Sequence, residues 1–429
     1  MVERLMLLAF LITVTLCHEQ FLKIFEWKSI DFQWPTEEEH EFDLKNNGYI
    51  PANIFITTVK FWKGKMYLTL PRWDDGIPVT LGVTSSKPIN GIIAPKLEAF
   101  PNWDMQKLGN CDAFQLVHSI EIDPKGRMWV LDTGRPTSLR KSKADCSPRL
   151  VILDLEDNGK ILRTYEFPEN VTSRKNVYLN DIVLDHEDGG MAYITDTSDT
   201  DPGIIVYSLK DNNSWKVRHN SMKAKSEAVK FMVGNKYVIK PIHVDGIALS
   251  PASSSNRQVY YSPLSSFHLY SISTSALKYN ATTIDGYVWE LGRKSSQTDG
   301  MAMSSTGVLY FGLLADDAIA MWDTKNTTSF TIGQRVIWRD HELTQWPDSF
   351  AFDEDGYFWC VSNMLQNFLN GHVDINEPNY RLIRLHVGVK SYQYYENGTA
   401  PELPNPAGAD SVRIAFATLL PTILILIAK

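Results

Sequence analysis

Short runs in which apolar and polar residues alternate dominate this chain, and they predict β-strands. Examples are residues 150–155, 203–208 and 380–385. Helical periodicity is scarce. A pair of strands joined by a turn recurs six times, and an aromatic residue stands three positions after the turn residue in each copy. These aromatic residues are Tyr67, Trp129, Tyr193, Tyr261, Tyr310 and Trp359. The pattern predicts an all-β fold built from internal repeats.

The spacing of the repeats predicts the architecture. Successive copies are 49 to 68 residues apart, which is the size of a four-stranded propeller blade with its loops. We therefore predict a six-bladed β-propeller, a single closed ring within residues 18–395. A ring must be closed, because its first and last blades would otherwise leave unpaired strand edges. The early strand 21–27 and the late strand 380–387 are the candidates to share one blade.

Both ends of the chain carry apolar segments outside the repeats. The apolar run 5–16 ends near Cys17 and predicts a signal peptide over residues 1–17. A polar, proline-rich spacer at 396–411 precedes an apolar tail at 412–429. Its almost purely apolar part, residues 414–428, has 15 residues, fewer than the roughly 20 of a spanning helix. The tail resembles a GPI-anchor signal; a tail anchor or a membrane-associated hairpin is the alternative. We expect a secreted, extracellular protein, either free or held at the outer cell surface by a lipid anchor.

Charge, sequons and cysteines agree with secretion. A net charge of -8 makes nucleic acid an unsuitable partner. Asn-x-Ser/Thr sequons predict glycosylation at Asn170, Asn212, Asn280, Asn326 and Asn397. After removal of Cys17, three cysteines remain. Cys111 and Cys146 flank the second repeat and are predicted to form a disulfide, whereas Cys360 is expected to be a buried thiol.

Polar residues open the first strand of five repeats. They are His118, Asp181, Asp245, Asp299 and Asp348. The first repeat has only Asn53 as a comparable group. If the first strands are the innermost strands of their blades, these side chains converge at one mouth of the central channel and focus negative potential there. The alternative is that each one caps a turn by accepting backbone N–H groups.

Two kinds of ligand suit such a ring. A calcium ion takes about six to eight oxygen ligands, and a protonated aromatic amine can be held by carboxylates and ring faces. Phe114, Trp346 and Phe350 are candidates for the ring faces, and Asn180 and Asn363 for further polar contacts. The sequence assigns no residues as metal ligands, and calcium is the only candidate cofactor.

Other catalytic motifs are missing from the sequence. It contains no Gly-x-Ser-x-Gly elbow, no His-Glu-x-x-His, no Cys-x-x-Cys and no glycine-rich phosphate loop. The hydrolase and metalloprotease interpretations therefore lose most of their support.

The chain resembles the insect yellow and major royal jelly protein family from Phe25 to Val387. The motifs that carry the resemblance are Trp27-Lys-Ser-Ile-Asp-Phe32, Leu70-Pro-Arg-Trp73, Trp129-Val-Leu-Asp-Thr-Gly134, Leu179-Asn-Asp-Ile182, Ala192-Tyr-Ile-Thr-Asp196, Asp245-Gly-Ile-Ala-Leu-Ser-Pro251 and Trp346-Pro-Asp348. The resemblance implies a six-bladed propeller, secretion, and a role in pigmentation, catecholamine chemistry or extracellular amine binding. Fold alone does not choose among these roles.

Three functional hypotheses follow. The first is an extracellular binder of an aromatic amine or catechol derivative in the propeller channel. The second is a dopachrome tautomerase of the melanin pathway, an isomerase that needs a base and an acid; His118 with Asp181, Asp245 or Asp299 are the candidate catalytic residues. The third is a structural or interaction protein of the eggshell or cuticle surface, for which the apolar tail is the main argument.

Overall fold

The computed structural model describes residues 20–136, 146–279 and 284–406. The predicted signal peptide, the apolar tail and the sequon at Asn280 lie outside the described residues. Within these ranges no helix is long and apolar enough to cross a membrane.

Six four-stranded antiparallel sheets make up the fold. The chain opens with β1 (Leu22–Trp27). The first blade contains β2 (Thr58–Trp62), β3 (Lys65–Thr69), β4 (Leu81–Ser85) and β5 (Glu98–Ala99). The second contains β6 (Val117–Ile122), β7 (Arg127–Asp132), β8 (Arg149–Asp154) and β9 (Lys160–Glu166). The third contains β10 (Leu179–Asp185), β11 (Met191–Asp196), β12 (Gly203–Ser208) and β13 (Asn213–Val217).

A two-stranded hairpin separates the third and fourth blades, with strands β14 (Lys230–Val233) and β15 (Lys236–Ile239). The fourth blade contains β16 (Val244–Leu249), β17 (Gln258–Pro263), β18 (His268–Ser273) and β19 (Val288–Arg293). The fifth contains β20 (Met301–Met303), β21 (Val308–Leu313), β22 (Ala318–Asp323) and β23 (Arg335–Arg339). The sixth combines β24 (Pro347–Phe352), β25 (Tyr357–Ser362) and β26 (Tyr380–His386) with β1. Short helices lie in the connections: α1 (Glu37–Lys45), α2 (Thr274–Lys278), α3 (Phe330–Gly333) and α4 (Leu365–Leu369).

The ring closes through the two ends of the sequence. Strand β1 pairs antiparallel with β26, so that the sixth blade is completed by the first strand of the chain. The first strands of the six blades, β2, β6, β10, β16, β20 and β24, are neighbours in that order, and β24 lies beside β2 again. The predicted six-bladed propeller and the shared blade are both confirmed. Strand β1 is the outer strand of this blade, and its backbone pairing with β26 fastens the start of the propeller to its end.

The inner strands share one irregularity, which sets the side chains that reach the mouth of the channel. In four blades the pairing with the second strand skips after the first residue; in β6, for example, Val117 pairs with Asp132 and the next pair is Ile120 with Val130. The same shift occurs in β10, β16 and β24. These bulges place His118, Asn180, Asp245 and Asp348 at equivalent positions.

This register corrects one sequence alignment. The pairing shifts directly after Leu179 in β10 and directly after Val244 in β16. The residues that follow, Asn180 and Asp245, are therefore equivalent, whereas the distance to the turn had aligned Asp181 with Asp245. The turn of the third blade is two residues longer than that of the second, since Gly190 follows Asn180 by ten positions and Gly126 follows His118 by eight. The extra residues lie in the turn and do not change the inner strand.

Two glycines let neighbouring inner strands approach closely. A Cβ atom at Gly246 would lie 2.1 Å from the carbonyl oxygen of Asp299, and one at Gly300 would lie 2.2 Å from that of Asp348. The amide of Gly300 donates to the Asp348 carbonyl at 2.7 Å. The Asp-Gly pairs in the sequence therefore serve a structural purpose, which is to bring consecutive acidic residues together.

The cysteine prediction is confirmed. Cys111 and Cys146 form a disulfide, and Cys360 is a free, buried thiol. Four sequons, at Asn170, Asn212, Asn326 and Asn397, are exposed. Their glycosylation stays a prediction.

The segment after β26 crosses the face opposite the mouth, where the inner strands end. The Tyr392 hydroxyl accepts from the amide of Leu184 at 2.7 Å, and the Gln393 side chain donates to the carbonyl of Ile122 at 2.9 Å. Further on, Leu403 is buried and the Arg127 guanidinium donates to the carbonyl of Pro404. The described part of the predicted spacer, residues 396–406, therefore packs against the propeller.

Candidate functional site

A cavity of about 410 Å³, which we call the mouth cavity, opens where the inner strands begin. Five residues in equivalent or matching positions of successive inner strands line it: His118, Asn180, Asp245, Asp299 and Asp348. All five are at least nine-tenths buried. The sequence expectation that these side chains converge at one mouth is met, with Asn180 in place of Asp181.

Three carboxylates form the floor of the cavity, and each accepts a hydrogen bond from a neighbouring side chain. The Asn180 amide donates to Asp245 at 2.8 Å, and the carboxyl groups of Asp245 and Asp299 hydrogen-bond to each other. The Trp346 indole N–H donates to Asp299 at 2.6 Å. The Asn363 amide donates to Asp348, also at 2.6 Å. We refer to Asp245, Asp299 and Asp348 as the acidic floor.

The acidic floor holds protons at neutral pH. Two carboxyl groups hydrogen-bond to each other only when one of them is protonated. Burial raises the pKa of Asp299 to about 7. Burial, followed by the charge of Asp299, raises the pKa values of Asp245 and Asp348 well above their usual range. The floor is therefore a site where a cation can replace bound protons, since a nearby positive charge favours the ionised form.

Aromatic rings form the wall beside the floor. The rings of Trp73 and His118 are 5.6 Å apart, those of His118 and Tyr178 5.2 Å, and those of Trp73 and Phe368 5.8 Å. The Trp73 indole N–H also donates to the Tyr178 hydroxyl at 2.7 Å. We call these four residues, all of which line the cavity, the aromatic wall.

His118 is a neutral member of that wall. Burial lowers the pKa of its imidazole to about 4. Its Nδ1 lies 3.1 Å from the carbonyl oxygen of Asn180. A carbonyl oxygen only accepts, so Nδ1 carries the proton and Nε2 keeps its lone pair.

Two predicted ring contributors lie elsewhere. Phe114 is fully buried in the hydrophobic core between the first two blades. Phe350 stacks on Phe358, with ring centroids 5.3 Å apart, in a core cluster of the last two blades. Phe350 lies two residues beyond Asp348, so in a regular strand both side chains would point to the same face. The bulge between Pro347 and Phe350 redirects the strand, and the Phe350 ring therefore packs into the core. Trp346 alone of the three predicted aromatic residues lines the cavity.

Asp181 lines a second, smaller cavity further down the channel, which we call the lower chamber. This chamber has a volume of about 80 Å³ and is lined by Lys60, Glu121 and Asp181 together with Tyr392. Lys60 bonds to Glu121 at 2.9 Å, and the Ser119 hydroxyl donates to Asp181 at 3.1 Å. Burial raises the pKa of Asp181. Because Asp181 and His118 open into different cavities, the structure does not bring them together as a catalytic pair.

Sequence reasoning missed most of the aromatic wall. Trp73 ends the motif Leu70-Pro-Arg-Trp73, and Tyr178 stands directly before the motif that begins at Leu179, so the sequence held a local signal for both residues. Phe368 lies in α4, within a loop, and the strand pattern gave no reason to choose it. Among the described residues no group of His, Cys, Asp and Glu side chains is arranged as a metal site. The calcium prediction stays untested.

Fold and site together define a six-bladed propeller whose central channel opens into a cavity with an acidic floor. The major royal jelly protein family model matches residues 115–391, more than half of the chain. The chain therefore belongs to the major royal jelly protein family, and the resemblance seen in the sequence is confirmed.

Curated relatives agree with this membership. Protein yellow of Drosophila melanogaster is 28% identical over 377 residues, covering 83% of this chain and 67% of its own length. Major royal jelly protein 9 of Apis mellifera is 26% identical over 382 residues, covering 84% of this chain and 86% of its own. Among solved structures, a luciferin-regenerating enzyme aligns with a TM-score of 0.48 and 13% identity, over 82% of this chain and 98% of its own.

Proposed function

We propose that this protein binds a protonated aromatic amine, such as a catecholamine, in the mouth cavity, and that it does so outside the cell in pigmentation or catecholamine metabolism. The observation that carries the proposal is a buried acidic floor directly beside an aromatic wall. Membership of a family that includes protein yellow supports the link to pigmentation.

The cavity offers each part of such a ligand a partner. Its volume of about 410 Å³ lies within the range of small-molecule sites. The ammonium group would displace a proton from the acidic floor and donate hydrogen bonds to the carboxylates. The ring would pack on Trp73 and Tyr178, whose faces also attract positive charge.

Calorimetric titration tests this proposal directly. Dopamine is expected to bind with a dissociation constant in the micromolar range. 4-Methylcatechol has the same ring without the ammonium group, and it is expected to bind much more weakly. No heat from dopamine at high micromolar concentration, or equal affinity for both compounds, would contradict a site built for a cation.

The affinity for dopamine should depend on pH. A carboxyl with a pKa of about 7 must lose its proton before it can pair with the ammonium group. Affinity should therefore rise with pH, by about tenfold between pH 6 and pH 8 if a single proton is released. Titrations in two buffers that differ in ionisation enthalpy would count the released protons. A flat profile with no proton release would show that the amine does not pair with Asp299.

A second candidate function is isomerisation of dopachrome, and one observation favours it. His118 presents an unprotonated Nε2 to the same cavity in which the Asp299 carboxyl retains a proton. These two groups are a base and an acid of the kind that the reaction needs. Loss of dopachrome colour should then be faster with the wild-type protein than with His118→Ala. Equal rates, with the variant folded, would remove this candidate.

A further inference from the structure

The outer edge of the mouth cavity carries the opposite charge from its floor. Arg135, Lys175 and Lys240 line this edge, and the Arg135 guanidinium donates to the backbone carbonyl of Lys175. Asp199 is the acidic side chain on the same edge. Within the part of the chain that the structure describes, no carboxylate pairs with Arg135, Lys175 or Lys240. We call these three residues the basic rim.

Burial separates the two charged regions by depth. Asp245 and Asp348 are 4% and 6% exposed, whereas Lys175 and Lys240 are exposed. Tyr178 of the aromatic wall is half-buried and lies between them in exposure. A ligand that reaches from the floor to the opening therefore meets negative charge, then rings, then positive charge.

We propose that the preferred ligand is an aromatic amine that carries an anionic group, a sulfate or a phosphate, on the ring at the end opposite its ammonium group. This inference rests on the proposed function, because it places the ammonium at the acidic floor. The ring then lies along the aromatic wall, and the anion meets the basic rim, where lysine and arginine side chains bind sulfate and phosphate oxygens.

The position of the anion matters as much as its charge. In an aromatic amino acid the carboxylate is attached to the carbon that carries the ammonium group. With the ammonium at the floor, that carboxylate would lie beside Asp299, whose ionised carboxylate pairs with the ammonium group, and the two like charges would repel. The site is therefore expected to favour a ring sulfate or phosphate and to reject an α-carboxylate.

Three matched ligands test the inference by calorimetry: tyramine, tyramine O-sulfate and tyrosine. The sulfate should bind about tenfold more tightly than tyramine, since the two exposed lysines and the half-buried Arg135 each contribute a modest attraction. Tyrosine should bind more weakly than tyramine. The preference for the sulfate should shrink in about 1 M NaCl, where the screening length falls to about 3 Å.

A double variant, Lys175→Met with Lys240→Met, identifies the groups responsible. It should lower the affinity for the sulfate, raise that for tyramine, and so remove most of the tenfold ratio. Lys210→Met, at an exposed lysine beside the turn at Gly189, is the matched control and should keep the ratio.

The outcomes separate this inference from the proposed function. If tyramine binds and the sulfate binds equally or less well, or if the double variant keeps the wild-type ratio, the basic rim is not an anion site and the inference fails while the amine site stands. If none of the three ligands binds, the proposed function fails and this inference fails with it.

Discussion

Replacing Asp299 by asparagine is expected to weaken dopamine binding by about 100-fold and to raise the free energy of unfolding at pH 8. The loss of affinity follows from removing a buried charge that pairs with the ammonium group, a contact of about 3 kcal/mol. The gain in stability follows from the raised pKa of this carboxyl. Asparagine can still accept from Trp346 and bond to Asp245.

The sign of the stability effect can be worked out from the pKa. The folded protein holds the Asp299 proton up to about pH 7, whereas an unfolded aspartate loses its proton near pH 4. The stability that this proton confers is complete below about pH 4 and is lost as the pH rises through 7. At pH 8 the wild-type protein carries the full cost of ionisation, and the Asp299→Asn variant should be about 1–2 kcal/mol more stable.

Asp185 provides the matched control for this substitution. It is also a fully buried aspartate, but it pairs with Arg257 and Lys278, at 2.5 and 3.0 Å. Asp185→Asn should lower stability by breaking these pairs, and it should leave the mouth cavity unchanged. Chemical denaturation at pH 8 measures both variants. If Asp299→Asn loses stability as Asp185→Asn does and keeps its affinity for dopamine, then Asp299 is a scaffold residue.

Phe25→Ala is expected to lower the free energy of unfolding by about 3–5 kcal/mol. Phe25 is fully buried in β1, where its ring stacks on Trp27 at 5.5 Å and on Trp359 at 6.5 Å. Strand β1 closes the sixth blade, so the cavity left by the substitution loosens the seam of the whole ring. A contact at the seam joins residues more than 300 positions apart and therefore closes a very long loop.

Leu22→Ala is the control for the seam. Leu22 lies on the same strand and is 55% exposed, so its truncation should change stability by less than about 0.5 kcal/mol. Guanidinium denaturation, followed by tryptophan fluorescence, compares the two variants with the wild type. A loss of less than about 1 kcal/mol for Phe25→Ala would show that the β1 seam does not hold the ring together.

The sequence was sufficient for the fold because the relevant signals are local and repeated. Alternating strands, six aromatic positions and a regular spacing each point to the same propeller. Even the non-local pairing of β1 with β26 could be predicted, since a propeller needs a closed seam. The packing of residues 396–406 on the face opposite the mouth had no such signal, because this segment has no strand periodicity.

The sequence predicted the aspartates of the candidate site better than its aromatic residues. Asp245, Asp299 and Asp348 follow from a shared register of strand and turn. Asn180 was also named as a candidate, but the alignment of Asp181 with Asp245 was wrong, because the distance to a turn also counts residues of the turn, which vary freely. Phe350 was wrong because strand position alone does not show that a bulge redirects a side chain into the core. Phe114 was wrong because it lies before β6, where no strand register fixes the direction of its side chain, and it packs into the core.

A crystal structure of the protein with dopamine tests the central claim most directly. The account predicts ligand density in the mouth cavity, with the ammonium nitrogen about 3 Å from carboxylate oxygens of the acidic floor and the catechol ring against Trp73 and Tyr178. Density in the lower chamber beside Lys60, or an ammonium group turned towards the opening, would contradict it.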